Sequence, residues 1–361
     1  VAAGLAAWIA GAAMATAPGA AQATRSGSDS AGRRYLLPDL RPDALVLDGT
    51  HVRIRPIIAL IADYSWFDQD QGSVAQVGVQ ADQADLRAAR FGLVARLKSP
   101  PRVELIAIAD FIEHKRREDA TFDVLDLAIG VPFGAHHRVT VGKQKQPFVY
   151  EMVGLAALLP QQERILSPFF VTRDVGVRVS GWLAQDRIVW WAGWFNDWFT
   201  TGRSFAAAGN DYVVRVTGLP LVSADGRAYL HVGIGGRYTE AEDGMLRFRG
   251  RPESNVADYY VDTGDLPASH AVAIGLEVLG TWRQWSLLGE WVRATVHGSA
   301  GQDPHLRGAY LTASWVMTGE HRRYGPVPGG GRSPLPTRRI GAWELVARYA
   351  RVDAVDQAVD G

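Results

Sequence analysis

The sequence predicts an all-β protein whose antiparallel strands cross a membrane as a β-barrel. From Thr50 onward, apolar and polar residues alternate in segments of about 9 to 14 residues, which are separated by Gly, Asp, Asn and Pro. Very short connections alternate with longer polar loops, as they do at the two ends of a membrane barrel. Aromatic residues gather near the segment ends, where a membrane interface favours them.

The first long segment shows the alternation clearly. Val52, Ile54, Ile58 and Leu60 share one face, and the opposite face carries His51, Arg53, Arg55 and Asp63. A soluble β-sandwich would show the same alternation, because its core takes the place of lipid, so this pattern leaves both classes open. The long strands, the short connections at Lys98–Arg102 and Ala184–Asp186, and the clustered aromatics favour the barrel. A closed barrel also leaves no strand edge unpaired in lipid.

Composition excludes several other classes of protein. The 38 basic and 38 acidic residues balance, so bulk charge indicates no nucleic-acid partner. There is no cysteine, which excludes disulfides and thiolate metal sites. His136 and His137 are adjacent and would point to opposite faces of a strand, and the motifs of common hydrolases and P-loop proteins are missing. We therefore expect no enzymatic activity, no metal and no cofactor.

The two ends of the chain differ from its middle. Residues 1–23 resemble a signal peptide, with the apolar run LAAWIAGAAMA and a small-x-small site at Ala21–Ala23; an apolar helix kept in the fold is the alternative. Residues 24–49 are expected to be a flexible lead-in, and residues 50–361 the barrel. We count about 14 strand segments, the last at Gly341–Asp353. We expect the chain to be truncated after it, since such barrels usually finish with a strand that ends in an aromatic residue and this chain finishes with AVDQAVDG.

Five stretches of the chain resemble the phosphate-selective porin O and P family. TGEHRRYGPVP (Thr318–Pro328) followed by GAWELVARYARVD is the best match. The others are LRAARFGL (Leu86–Leu93), VTVGKQKQPFVYE (Val139–Glu151), ERILSPFFVTRDVGVRVSG (Glu163–Gly181) and LRFRGRPES (Leu246–Ser254). The resemblance implies a 16-stranded barrel in the bacterial outer membrane, surrounded by lipid and usually a homotrimer. It also implies a constriction loop folded inward at about residues 146–172.

The candidate pore-lining residues are basic, with one serine. Arg247, Arg249 and Arg251 would lie on one face of a strand about 6.6–6.8 Å apart and form a ladder for anions; a solvated external loop is the alternative. Lys143 and Lys145 share a strand face before the loop. The remaining candidates lie in the loop, at its exit or on the basic second strand: Arg164, Ser167, Arg173, Arg87 and Arg90. Arg173 could instead form a structural ion pair with Asp174, and Arg348 is expected to pair with Glu344 or a neighbour.

These residues predict a pore for passive diffusion of anions, with phosphate or polyphosphate as the expected solute. In this hypothesis, guanidinium and ammonium groups replace part of the hydration shell of the anion. A porin with little selectivity is the alternative, because carboxylates such as Glu104, Glu277 and Glu290 could balance the basic residues. An outer-membrane enzyme or adhesin would need a Ser-His pair at the rim or much longer external loops, and neither is visible.

Overall fold

The structure is a computed structural model that describes residues 8–10, 46–112, 122–154, 159, 161, 163–196, 208–298, 303–325, 329–337, 341–354 and 356. Two short helices, α1 (Gln71–Val77) and α2 (Tyr150–Val153), lie between strands. In these ranges, no helix has the length and apolar character needed to span a membrane.

Strands make up most of the described chain. They are β1 (Trp8–Ala10), β2 (Leu47–Asp48), β3 (Val52–Ser65), β4 (Gln83–Leu97), β5 (Glu104–Asp110), β6 (Asp123–Phe133), β7 (His137–Lys145), β8 (Arg173–Leu183), β9 (Ile188–Asn196), β10 (Ala208–Val222), β11 (Ala228–Ala241), β12 (Met245–Leu246), β13 (Arg249–Gly250), β14 (Val261–Asp262), β15 (Leu266–Trp282), β16 (Trp285–Gly298), β17 (His305–Val316), β18 (Tyr324–Gly325), β19 (Gly330–Gly331) and β20 (Glu344–Asp353).

One large antiparallel sheet contains every long strand. Its order is β1-β20-β17-β16-β15-β11-β10-β9-β8-β7-β6-β5-β4-β3-β2, so long strands that follow one another in sequence pair with one another. This confirms the predicted all-β architecture of about 14 antiparallel strands. Among the described residues the order is linear, with no pairing between β2 and β1.

The short strand β1 falls inside the segment expected to be a signal peptide. Trp8, Ile9 and Ala10 pair with Val346, Leu345 and Glu344 of β20. The other residues of that segment, and most of the expected lead-in, lie outside the described ranges. Cleavage before Thr24 therefore stays a prediction.

The two faces of the sheet have the predicted alternation. On β3, the side chains of Ile58 and Leu60 are 59% and 68% exposed, while Arg55 on the other face is 9% exposed. On β15, Ile274, Leu276 and Val278 are exposed and the residues between them are buried. One face is thus an apolar outer surface, and the other is covered by segments of the same chain.

The described residues of the connection between β7 and β8 (146–172) pack on the inner face. Phe148, Val149, Met152, Leu166 and Phe169 form one buried cluster with inward side chains of β10, β15, β16 and β17. A glycine on β11 makes this approach possible, because a Cβ on Gly235 would lie 2.0 Å from the carbonyl oxygen of Phe148.

The sheet curves so that its two ends approach the same loop. In the connection between β11 and β15 (242–265), Ser254 Oγ lies 3.0 Å from Ser65 Oγ on β3. The preceding residue, Glu253, accepts a hydrogen bond of 2.6 Å from Nε of Arg348 on β20. Strands near opposite ends of the linear order therefore face each other across the interior, as in a porin barrel.

The connections are short at one end of the sheet and long at the other. One long connection is an exception, because it begins at the short-turn end. The turns after β4, β6, β8, β10 and β15 are short and lie at one end, as predicted for Lys98–Arg102 and Ala184–Asp186. The connection from β17 to β20, residues 317–343, is long and begins at that same short-turn end. Its described part folds inward, since Arg215 Nη2 donates to the carbonyl oxygen of Gly329 over 2.9 Å.

Candidate functional site

Three segments fold into the space that the sheet surrounds. The β7–β8 segment (146–172) and the β11–β15 segment (242–265) enter from the long-loop end, and the β17–β20 segment (317–343) enters from the short-turn end. Two of them meet where the Tyr150 hydroxyl donates a hydrogen bond of 2.7 Å to the carbonyl oxygen of Gly331. Any solute that crosses the interior must pass these segments.

Two cations hold the carboxyl end of helix α2. Lys145 Nζ donates to the carbonyl oxygens of Met152, Val153 and Gly154 over 3.3, 3.2 and 2.5 Å. Arg164 Nη2 donates to the same oxygen of Gly154 over 3.0 Å. The two positive groups are therefore close neighbours, and their hydrogen bonds fix the shape of the β7–β8 segment.

More basic residues stand around this pair. Arg173 lies opposite Lys145 in the β7–β8 register, and its Nε is 3.1 Å from Asp126. Arg90 Nε is 2.8 Å from Asp110. Burial lowers the pKa of the Arg164 guanidinium, and the positive charges of Arg173 and Arg90 act in the same direction, against Glu163 and Glu151. Four of the predicted site residues, Lys145, Arg164, Arg173 and Arg90, thus form one basic cluster.

The amino end of α2 is held by carboxylates. The backbone N–H of Glu151 donates to Glu290 Oε2 over 2.8 Å. The buried side chain of Glu151 accepts from Arg348 Nη2 over 2.6 Å and from the N–H of Leu166 over 2.9 Å. The expected pairing of Arg348 with Glu344 is wrong, because Arg348 reaches the interior segments and Glu344 pairs instead with Arg322.

The predicted arginine ladder does not form a continuous strand. Strand β12 ends at Leu246 and β13 contains only Arg249 and Gly250. The chain bends because Phe248 is buried in the interior cluster and Gly250 packs closely against Pro168. Arg247 forms an ion pair with Asp262, at 2.6 Å. The guanidiniums of Arg249 and Arg251 stack on Tyr259, at 4.8 and 4.2 Å from the ring centroid.

The remaining predicted residues lie away from the basic cluster or make other contacts. Lys143 lies opposite the exposed Leu127 in register, on the outer row, and its Nζ is 3.5 Å from Asp123. The structure therefore does not combine it with Lys145. Arg87 pairs with Asp63 on the neighbouring strand. Ser167 is buried in a 3-10 turn beside the close contact of Pro168 with Gly250.

The structure contains a second buried network of hydrogen-bonded side chains, which the sequence did not predict. Arg215 on β10 donates through Nε and Nη2 to Glu277 on β15, over 3.1 and 2.5 Å. His231 Nε2 is 2.8 Å from the same carboxylate, and its Nδ1 is 3.1 Å from the Tyr324 hydroxyl. The only signal in the sequence was the inward position of Arg215 and Glu277 on their strands. The β17–β20 segment, which Arg215 and His231 contact at Gly329 and Tyr324, has no such signal.

The part of the chain that the structure describes contains no candidate set of metal ligands. No group of three or more His, Cys, Asp or Glu side chains there could hold a metal ion.

A large antiparallel sheet with an apolar outer face, and with its interior narrowed by its own loops, defines the porin class of outer-membrane channel. The model of the family "Phosphate-selective porin O and P" matches residues 59–361, and the chain belongs to this family. The protein is accordingly a channel of the bacterial outer membrane and not an enzyme.

Solved structures of other porins resemble the chain. An anion-selective porin from Comamonas acidovorans has a TM-score of 0.48 and 11% identity, over 83% of this chain and 100% of that one. A trimer form of OmpT from Vibrio cholerae has a TM-score of 0.38 and 10% identity, over 83% of this chain and 100% of that one. OpdL from Pseudomonas aeruginosa has a TM-score of 0.25 and 11% identity, over 84% of this chain and 98% of that one. No curated protein matches the sequence.

Proposed function

We propose that this porin conducts anions in preference to cations, with phosphate or polyphosphate as its solute. One observation carries the proposal: Lys145, Arg164, Arg173 and Arg90 stand together at the β7–β8 segment, and only Asp126 and Asp110 form ion pairs with them among the described residues. This cluster, with Glu163 and Glu151 beside Arg164, lies where the interior is narrowed. It attracts anions and repels cations along the same path.

The basic cluster acts on the solute through its charge. The ammonium of Lys145 already donates to three carbonyl oxygens, and Arg164 to two. These groups have few donors left for an anion, but their field in a partly dehydrated interior is stronger than it would be in water. We therefore assign them the role of selecting the sign of the charge.

Direct contact with the solute is assigned to Arg249 and Arg251. Neither forms an ion pair with a described carboxylate, and both rest on Tyr259. A guanidinium offers two parallel N–H donors that match phosphate oxygens. Stacking on an aromatic ring keeps its edge available for such a contact. These two arginines would bind phosphate weakly at the long-loop entrance and pass it to the basic cluster.

A porin with little selectivity is the second candidate function. It is favoured by the ion pairs of Arg247 with Asp262, Arg87 with Asp63 and Arg237 with Asp211. If the remaining lumen charges balance in the same way, solute size alone determines passage. We further propose that the protein assembles as a homotrimer, as its family implies.

The experiment that tests the function is a reversal potential in a planar bilayer under a KCl gradient, followed by titration of the chloride current with phosphate. The proposal predicts a reversal potential that differs from zero in the direction of anion selectivity. It also predicts a chloride current that falls as phosphate is added, because bound phosphate occupies the pore. A reversal potential of zero would support the unselective porin. Anion preference without phosphate block would keep the charge selectivity and contradict phosphate as the solute.

A further inference from the structure

Three neighbouring strands repeat one arrangement on the outer face of the sheet. Trp285 and Arg293 on β16, Trp315 and Arg307 on β17, and Trp343 and Arg351 at β20 are each separated by eight residues. The tryptophans lie at the short-turn end, where Trp285 and Trp315 stack with ring centroids 5.1 Å apart. The arginines lie toward the long-loop end.

The side chains between these two rows are uncharged. They are Leu287, Gly289 and Trp291 on β16, Ala309, Leu311 and Ala313 on β17, and Leu345, Ala347 and Tyr349 on β20. Eight residues extend about 26 Å along a strand, or about 20 Å along the membrane normal at the usual tilt of about 40°. The apolar band of an outer-membrane barrel is about 25 Å tall. The tryptophan and arginine rows therefore lie near its two boundaries.

The arginine row, formed by Arg293, Arg307 and Arg351, brings like charges close together. Arg293 and Arg307 are direct cross-strand partners, an arrangement of like charges that destabilises a sheet unless an anion is present. Asp353 is the one carboxylate paired with the row among the described residues, 3.0 Å from Arg307 and 3.5 Å from Arg351. Arg293 makes no hydrogen bond or ion pair to the described part of the chain. Two of the three guanidiniums thus share one carboxylate, and the third has no described anion beside it.

The side chains are also open to the surroundings. Those of Arg307 and Arg351 are 68% and 69% exposed. Long loops of such barrels face outward from the cell, so the row stands at the height of the outer-leaflet headgroups. Guanidinium groups bind phosphate through paired hydrogen bonds, and do so best where water is scarce.

We propose that Arg293, Arg307 and Arg351 form an external binding site for the phosphate groups of lipid A in the outer leaflet. Acyl chains of the lipid would lie on the uncharged side chains between the two rows. The site rests on the membrane orientation of the barrel and does not depend on the proposed anion preference of the pore.

Native mass spectrometry of the purified protein in detergent, titrated with bisphosphorylated lipid A, tests this site. We expect retained lipid A, with about tenfold weaker binding of the fully dephosphorylated lipid with the same acyl chains. Arg293→Gln should weaken binding of the phosphorylated lipid about tenfold and remove the preference, while Arg293→Lys should keep most of both. Arg293 has no described partner to lose, so its replacement breaks no ion pair, and heat-modifiable mobility in gels verifies folding.

Arg283→Gln is the matched control, because Arg283 lies in the turn between β15 and β16 at the opposite end of the same strands. Its lipid binding should equal that of the unaltered protein. The proposal would be overturned if the unaltered protein bound phosphorylated and dephosphorylated lipid A equally. It would also be overturned if lipid A binding were unchanged both in Arg293→Gln and in the triple variant in which Arg293, Arg307 and Arg351 are all replaced by Gln. Dissociation of an oligomer in the triple variant with lipid binding intact would assign the row to a subunit contact instead.

Discussion

Tyr150 and Gly331 connect the two segments that enter the barrel from opposite ends. The hydroxyl of Tyr150 donates to the carbonyl oxygen of Gly331 over 2.7 Å. The neighbouring Gly330 lets the ring approach, because a Cβ there would lie 2.0 Å from Tyr150 Cε2. Burial raises the pKa of the Tyr150 hydroxyl to about 12, so this donor keeps its proton at all physiological pH values.

Replacing Tyr150 by Phe should loosen this junction without removing the ring. The lost hydrogen bond stabilises the contact by about 1 kcal/mol. We expect more frequent current fluctuations in single-channel recordings, because the β17–β20 segment would leave its position more often. Tyr349→Phe, on the exposed outer row of β20, is the control and should leave the recordings unchanged. Equal fluctuation in all three proteins would show that the junction does not control the passage.

Acid should release the β17–β20 segment through Glu320. Its carboxylate accepts from Thr318 and from N and Oγ1 of Thr337, the latter over 3.0 and 2.7 Å. Burial opposes the charge, but these hydrogen bonds outweigh it and lower the pKa to about 2, from an ordinary value of 4.5. The stabilisation is therefore fully present above about pH 4.5 and is lost as pH falls toward 2.

Conductance measured from pH 7 down to about pH 2 tests this effect. The unaltered protein should change its conductance or noise below about pH 4.5, and Glu320→Gln should behave at every pH as the unaltered protein does in acid. Asp225→Asn is a suitable comparison, because Asp225 lies in the β10–β11 turn and its hydrogen bonds involve Ser223 and Arg227. An acid response that persists in Glu320→Gln would assign the effect to another group.

The buried pair of Arg215 and Glu277 should behave as a unit. Arg215→Met leaves the Glu277 carboxylate buried with His231 as its one hydrogen-bonding side chain among the described residues, and should cost about 3–5 kcal/mol. The double variant Arg215→Met with Glu277→Gln should recover part of that loss, since no charge is then left unpaired. The temperature at which the folded form disappears on gels measures both effects. Additive losses in the double variant would contradict the coupling.

The sequence predicted the sheet well because strand alternation is local. Ile58 and Leu60 lie on the outer face and Arg55 on the inner one, as the period of two requires. The short connections at Lys98–Arg102 and Ala184–Asp186 were also identified, since turn composition shows in neighbouring residues.

The interior was harder to predict, because its contacts join distant parts of the chain. Arg348 and Glu151 are 197 residues apart in the sequence, and no local pattern indicates that pairing. Alternating arginines indicated a strand at Arg247–Arg251, but burial of Phe248 and the contact of Gly250 with Pro168 override that preference. The inward fold of residues 317–343 likewise depends on the wall residues Arg215 and His231.

The reversal potential of Lys145→Gln, compared with that of the unaltered protein, tests whether the basic cluster selects anions. Glutamine keeps a donor for the Gly154 carbonyl oxygen but removes the positive charge. Loss of this one charge should lower the anion-to-cation permeability ratio about fivefold, which corresponds to ~1 kcal/mol. Lys98→Gln, at the exposed ion pair with Asp48, should leave the ratio unchanged. We expect a ratio above one that falls only in Lys145→Gln; a ratio of one in the unaltered protein, or the same ratio in all three, would show that the basic cluster does not select anions.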